Sequence, residues 1–442
     1  MHRCPKLFSN AVAAFALVGF LYSPAQAQEV SPSAQATAQP TAQPRRMVGY
    51  LPEWKIYSGF YPKNLISNGS ADKLTHILYA FGNVPAPGQP GAGTCQLVDP
   101  WADYEKPVGA ADSVDGVADD AAATLHGNFN QLLKLKKLYP NLKVSISLGG
   151  WTLSSGFSAA ASTDASRKAL VSSCISTFIE GHLVDPNDYS LTQPGLFDGI
   201  DVDWEYPGAC GNTCSYSPQD TENFTLLLQE FRSQLDAETA KTHTPYSLSI
   251  AAPAGQATYS LIQLSQIHPY LDFINLLSYD LNGGWNHYAD HAAPLFTSPF
   301  DPIAADKSNN VHSTITAFLA AGIPAGKLNL GIPFYAHGWT GVPKARSGLF
   351  QSASTTAPDD QANYNVVQTL PGFAHHYDPL SGMAHWTYNP ATNTFYSYDD
   401  GISALAKALY VRDRGLGGAM LWELSGDDAK GTLIHAIYAG LK

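Results

Sequence analysis

Basic side chains are in short supply in this chain of 442 residues. Its 25 lysines and arginines face 37 aspartates and glutamates, for a formal charge of −12 at pH 7. Such a balance gives no electrostatic pull toward nucleic acid or an anionic membrane surface, and ordinary solubility accounts for it. Cysteine is sparse, five in all, and no second Cys or His pair stands at zinc-ligand spacing. Long apolar runs are missing as well: Ala11–Leu21 is largely apolar but too short to span a bilayer. No separate accessory module is visible. What remains is a chain that is 45% hydrophobic, enough for a large core.

The N-terminus has a basic start (His2, Arg3, Lys6), the short apolar run, and a small-x-small site at Ala25-Gln26-Ala27. Residues 1–27 therefore read as a secretory signal, with no Cys at the cleavage point to carry a lipid. Secretion is expected, to the medium or to a periplasm. Residues 28–45, rich in Gln, Ala, Pro, Ser and Thr, read as a disordered linker. Cys4 leaves with the signal. Cys210 and Cys214, four apart in a Gly-rich loop, could close a small disulfide in an oxidising compartment. Cys174 shares an apolar helix face with Leu170 and Phe178 and is expected as a buried free thiol. Cys95 has no evident partner.

From about residue 46 to 442, short apolar runs alternate with helical patterns. The strands are expected at Val48–Leu51, His76–Phe81, Val144–Leu148, Phe197–Glu205, Ser247–Ala252, Phe273–Tyr279, Leu328–Pro333 and Gly418–Leu424. Asn223–Asp236, with Phe224, Leu228, Phe231 and Leu235 on one face, and Ile402–Arg412 read as helices. Eightfold strand–helix alternation points to an α/β (β/α)8 TIM barrel, with an open doubly wound sheet as the rival pattern. Residues 338–399 break the rhythm. They are rich in Tyr, Asn, Thr and Gly, and HWTYNPATNTFYSYDD reads as a hairpin. A small α+β subdomain is expected there, between strand seven and the last helix, on the rim where barrels build active sites.

The segment from Phe197 to Pro207, FDGIDVDWEYP, carries the chemistry. Side chains alternate along a strand, so Asp201, Asp203 and Glu205 share one face and Ile200, Val202 and Trp204 the other. The apolar set faces helices, which makes Trp204 core, and the acids face the barrel axis. Three clustered carboxyls cannot all ionise near neutral pH, so at least one pKa must rise, as a general acid requires. Glu205 comes last, nearest the C-terminal mouth. A calcium loop is a poor alternative, lacking the Gly and Glu such a loop needs. Asp198 has the opposite parity and suits a structural role.

These residues match the D-x-x-D-x-D-x-E pattern, and the segment resembles that of the glycoside hydrolase family 18 chitinases. VSISLGGW (Val144–Trp151), the Tyr279-Asp280 pair in LLSYDLNGGW, GIPFYAHGW and GGAMLWELSGD resemble the family's third, sixth, seventh and eighth strands. The resemblance covers the chain from Met47 onward, and the inserted stretch looks like the family's chitinase insertion domain.

The resemblance implies a retaining, endo-acting chitinase with substrate-assisted chemistry. Glu205 would be acid and then base. Asp203 would hold the acetamido N–H, Asp201 would share a proton with Asp203, and Tyr279 would orient the acetamido oxygen. Trp422 would floor the cleaved sugar. Trp54, Trp285, Tyr206, Asp280 and Tyr335 are expected at the substrate, and Trp151 stands between stacking and core packing. No metal and no cofactor are implied; the partner is chitin or N-acetylglucosamine oligosaccharides, and the protein is expected to be a monomer. In one departure, Tyr335-Ala336-His337 stands where the family often has Arg, so the charge there depends on pH. His375-His376 reads as a surface pair. The rivals are an endo-β-N-acetylglucosaminidase acting on N-glycans or peptidoglycan, and an inactive chitin-binding lectin.

Overall fold

The computed structural model describes residues 44–183, 191–302 and 307–442. The expected signal and all but the last two residues of the expected linker lie outside them. Arg45, assigned to the linker from composition, is tied to the fold: its guanidinium donates to the carbonyls of Leu441 (3.0 Å) and Arg412 (3.3 Å).

Eight parallel strands close a barrel: β1 (Arg46–Pro52), β2 (His76–Asn83), β4 (Lys143–Gly149), β5 (Gly199–Asp203), β6 (Ser247–Pro253), β7 (Phe273–Leu277), β8 (Leu328–Pro333) and β14 (Gly418–Trp422). β1 pairs with both β2 and β14, so no edge is left and the open-sheet alternative falls. A short β3 (Gln96–Leu97) adds antiparallel to the end of β2. The strands follow from apolar runs that bury both faces. Val144, Ile146, Leu148, Ile200 and Val202 point outward into the large core, against Phe224, Leu228, Phe231 and Leu235 of the helix Asp220–Thr242. Val48, Tyr50, Leu78, Phe273 and Met420 form a second cluster inside the barrel. Trp204 is 2% exposed, between Phe157 (5.4 Å) and Phe224 (5.6 Å).

Between β8 and the helix Gly401–Asp413 lies an antiparallel sheet. It comprises β9 (His337–Thr340), β10 (Thr355–Thr356), β11 (Ala374–Asp378), β12 (Ala384–Asn389) and β13 (Thr394–Ser397), in the order β10-β9-β13-β12-β11. β12 and β13 form the hairpin that the Asn-Pro-Ala-Thr-Asn turn predicts. The following helix starts where Asp400 caps it, accepting from the N–H groups of Ile402 and Ser403.

Two expectations about cysteine are corrected. Cys174 is not a free thiol and Cys95 is not alone: they form a disulfide, Cα–Cα 4.8 Å. Cys174 ends the helix Asp164–Cys174, and Ser173 beside it accepts from the Cys95 N–H at 2.8 Å, so the two segments dock there. A pairing across 79 residues leaves no local spacing signal. Cys210 and Cys214 are bonded to each other. Asp198 sits immediately before β5, bound to Lys136 (2.7 Å) and to the Val144 N–H (2.9 Å), locking β4 to β5.

Candidate active site

Asp201 lies in the barrel interior, 0% exposed. Four strands supply its donors: Tyr50 (3.0 Å), Ser147 (2.8 Å), Ser249 (2.5 Å) and Asn275 (3.3 Å). Burial pushes its pKa up, and these hydrogen bonds recover only part of the shift. Both oxygens are thereby occupied. The expected shared proton with Asp203 is therefore not a hydrogen bond in this structure; the two acids meet through charge.

Asp203, one step nearer the mouth, is 3% exposed, and its Oδ1 is buried with no hydrogen-bond partner. Burial first, then the charges of Glu205 and Asp201, raise its pKa well above the usual carboxylate range. Glu205 follows the end of β5 and is partly exposed. Burial lifts its pKa to about 7; the Tyr206 hydroxyl pulls it down and Asp280 pushes it up.

The glycines of SLGGW hold this end of β5. Gly149 has φ +103°, and a Cβ there would come within 2.4 Å of the Asp203 carbonyl oxygen. At Gly150 a Cβ would meet the Phe81 ring at 2.4 Å. The turn they make presents Ser154, whose Oγ accepts from the Glu205 N–H (2.9 Å) and lies 3.1 Å from the Asp203 carbonyl. The Cys210–Cys214 loop packs on the other side, with Gly211 against the Glu205 carbonyl.

Aromatic rings surround the acids. Trp422 stacks on Phe81 (5.8 Å) and meets Tyr50 edge-on (5.0 Å), and Trp54 joins Phe81 at 6.1 Å. Trp151 lies 6.5 Å from Tyr206. Tyr279 lies 6.1 Å from Tyr335, and the charges of Asp280, Asp203 and Glu205 all raise its pKa after burial does. Trp54, Trp151 and Trp285 are 41%, 52% and 59% exposed. That decides Trp151 against core packing. These three stand in the connections that follow β1, β4 and β7, on separate sectors of the rim.

Each residue expected at the site thus belongs to one contact network at the C-terminal mouth. Sequence reasoning missed Tyr50, Phe81, Ser147, Ser154, Ser249 and Asn275. Ser147, Ser249 and Asn275 left a signal, since each is a polar residue at inward parity on a strand whose outward face is apolar. Also missed was Lys55–Glu423 (2.9 Å), which ties the turn carrying Trp54 to the one following Trp422. His376 is stacked on Trp386 (5.1 Å), and His375 is exposed with its Nδ1 3.0 Å from the His385 Nε2.

Residues 46–427 match the family described as Glycosyl hydrolases family 18. Chitinase A1 of Niallia circulans is 35% identical over 92% of this chain and 60% of its own length. Chitinase C of Streptomyces lividans is 35% identical over 87% of this chain and 58% of its own. The chain thus spans about three-fifths of the length of these relatives. Among solved structures, the catalytic domain of psychrophilic chitinase B from Arthrobacter TAD20 superposes with a TM-score of 0.83. It is 38% identical, over 91% of this chain and 96% of that one.

Proposed function

Since the chain belongs to the glycosyl hydrolases of family 18, we propose that it is a retaining, endo-acting chitinase. It cuts β-1,4 links between N-acetylglucosamine units and uses the substrate's own acetamido oxygen as nucleophile. The observation that carries this reading is the pairing of a partly exposed carboxyl with pKa about 7 and a buried carboxyl oxygen that has no partner.

Glu205 is protonated below about pH 7 and hands that proton to the glycosidic oxygen. Asp203 Oδ1, a buried acceptor without a donor, takes the acetamido N–H, which turns the carbonyl oxygen toward the anomeric carbon. Tyr279, beside the same acids, donates its hydroxyl to that oxygen and fixes the attack. The cyclic oxazolinium ion that forms carries positive charge, part of which Asp203 Oδ1 offsets by accepting its N–H. Asp201 stays below, held by its four donors, and keeps Asp203 in register. Water then opens the ring, with Glu205 taking its proton, so the configuration is retained. Holding nucleophile and electrophile in one molecule can be worth about 7–11 kcal/mol of barrier.

Endo action is supported by exposed tryptophans on three sectors of the rim, which suits a groove holding several sugars. Residues 338–399 are proposed as an inserted subdomain walling that groove. Export is supported by two disulfides, which persist in oxidising surroundings.

Two measurements on chitin oligomers test the proposal. NMR of the first products should show the β-anomer, and chromatography on long chitin should show internal cuts early. First-formed α-anomer excludes a retaining route. Release of N-acetylglucosamine alone from chain ends excludes endo action, and cleavage of N-glycans with chitin untouched favours the endo-β-N-acetylglucosaminidase reading.

A further inference from the structure

The residue that departs from the family pattern is buried between two acids. His337 is 1% exposed at the start of β9. Its Nε2 lies 2.8 Å from Asp280 Oδ1 and its Nδ1 lies 3.0 Å from Asp360 Oδ1. Trp285 (5.2 Å) and Tyr335 (5.7 Å) pack edge-on against the ring. A neutral imidazole carries one N–H, so it could serve only one of these carboxylates. Its other nitrogen would then set a lone pair against a carboxylate oxygen at hydrogen-bond distance. Only the cation, with two N–H groups, satisfies both contacts.

We propose that His337 works as a buried imidazolium that clamps Asp280 to Asp360, and is thereby a positioning residue for the acid Glu205. The proposal rests on the chitinase reading above for its kinetic part. Asp280 stands at φ +54°, in the left-handed region, and also accepts from the Tyr335 hydroxyl. Its charge raises the pKa of Glu205, so what neutralises Asp280 sets how long Glu205 keeps its proton. The groups facing His337 are Asp280, Asp360 and Tyr335. Behind Asp360 lie Asp359 and Tyr396, whose hydroxyl is 3.5 Å from Asp359. The environment agrees with the geometry. Burial lowers the imidazole pKa, but the hydrogen bonds and charges of the two aspartates more than reverse this, to about 9. The clamp is therefore present at neutral pH and lost as pH rises through about 9.

The test joins a spectrum to a pH profile. In full-length protein with isotope-labelled histidine, the His337 resonance is assigned by its loss in His337→Gln. It should remain that of an imidazolium at pH 8; titration at an ordinary histidine pH overturns the clamp. On N-acetylglucosamine oligomers, His337→Arg should keep kcat within about threefold of wild type and lose the uppermost ionisation. His337→Gln should lose about tenfold or more in kcat/KM, with its alkaline limb moved upward because Asp280 is less neutralised. If both variants keep the wild-type profile and lose only thermal stability, the role is structural and the proposal fails. If the imidazole titrates high but wild type cleaves no chitin oligomer, the clamp stands and the functional reading fails.

Discussion

Glu205 must give a proton and later take one, and a group can do both only if its pKa lies near the working pH. Burial brings it to about 7. The acid form is therefore lost as pH rises through about 7, and kcat/KM should fall on that side. Replacing Glu205 with Gln keeps the shape and removes the proton. Turnover of N-acetylglucosamine oligomers should drop by at least about a hundredfold, the lower range for a general acid. Affinity measured by calorimetry should change by no more than a few-fold; unchanged turnover would remove Glu205 from the mechanism. The carboxylate row was legible because a period of two sorts FDGIDVDWEYP into an acidic and an apolar face. That Asp201 takes its four donors from β1, β4, β6 and β7 was not. Pairings across a barrel depend on register, which no single segment carries.

The turn Glu53–Ser58, which carries Trp54, is anchored from beneath by a second pair of acids. Glu53 is 4% exposed and Asp103, on the neighbouring segment Trp101–Glu105, is 0% exposed. Tyr79 donates to Asp103 (2.6 Å), and Asn128 donates to Tyr79 (3.0 Å) and to the Glu53 carbonyl (3.1 Å). Glu53 Oε2 and Asp103 Oδ2 have no other donor, so the two carboxyls bond only while one keeps a proton. Burial drives both pKa values up, Glu53 to about 10 with help from the Asp103 charge, and Asp103 to about 8. Raised carboxyls hold protons in the folded state that the unfolded chain has released. Their contribution is therefore whole in acid and lost as pH rises from the ordinary carboxylate range through about 8 to 10. The slope can reach about 1.4 kcal/mol per pH unit for each proton held. Glu53→Gln keeps a donor toward Asp103 and ends one titration. Urea unfolding should find it more stable than wild type at pH 8, with a flatter pH dependence; an unchanged slope would rule out proton sharing. All eight barrel strands were legible from their apolar runs. The order of the antiparallel sheet was not, because β9 pairs with the distant β13 as well as with its successor β10, and β10 and β11 stand at opposite edges.

Across the whole molecule, barrel closure leaves the long connection between β2 and β4 with few ladder bonds of its own, and the Cys95–Cys174 bond compensates. It closes a loop over 79 positions that contains the helix Gly127–Leu138 and all of β4. In the chain-entropy account, a loop of that length restricts the unfolded state by about 4–5 kcal/mol, while the short Cys210–Cys214 ring restricts it by about 2. The two bonds should therefore separate by function as well as size. Replacing Cys95 and Cys174 together with Ser should cost about 2–5 kcal/mol in denaturant unfolding and leave kcat on chitin oligomers near wild type. The second bond sits where Gly211 packs on the Glu205 carbonyl. Replacing Cys210 and Cys214 with Ser should cost less stability and lower kcat, because the loop then holds the Glu205 peptide less firmly. Equal stability losses from the two pairs would contradict the loop-length argument, and full activity without the second bond would free Glu205 from its loop.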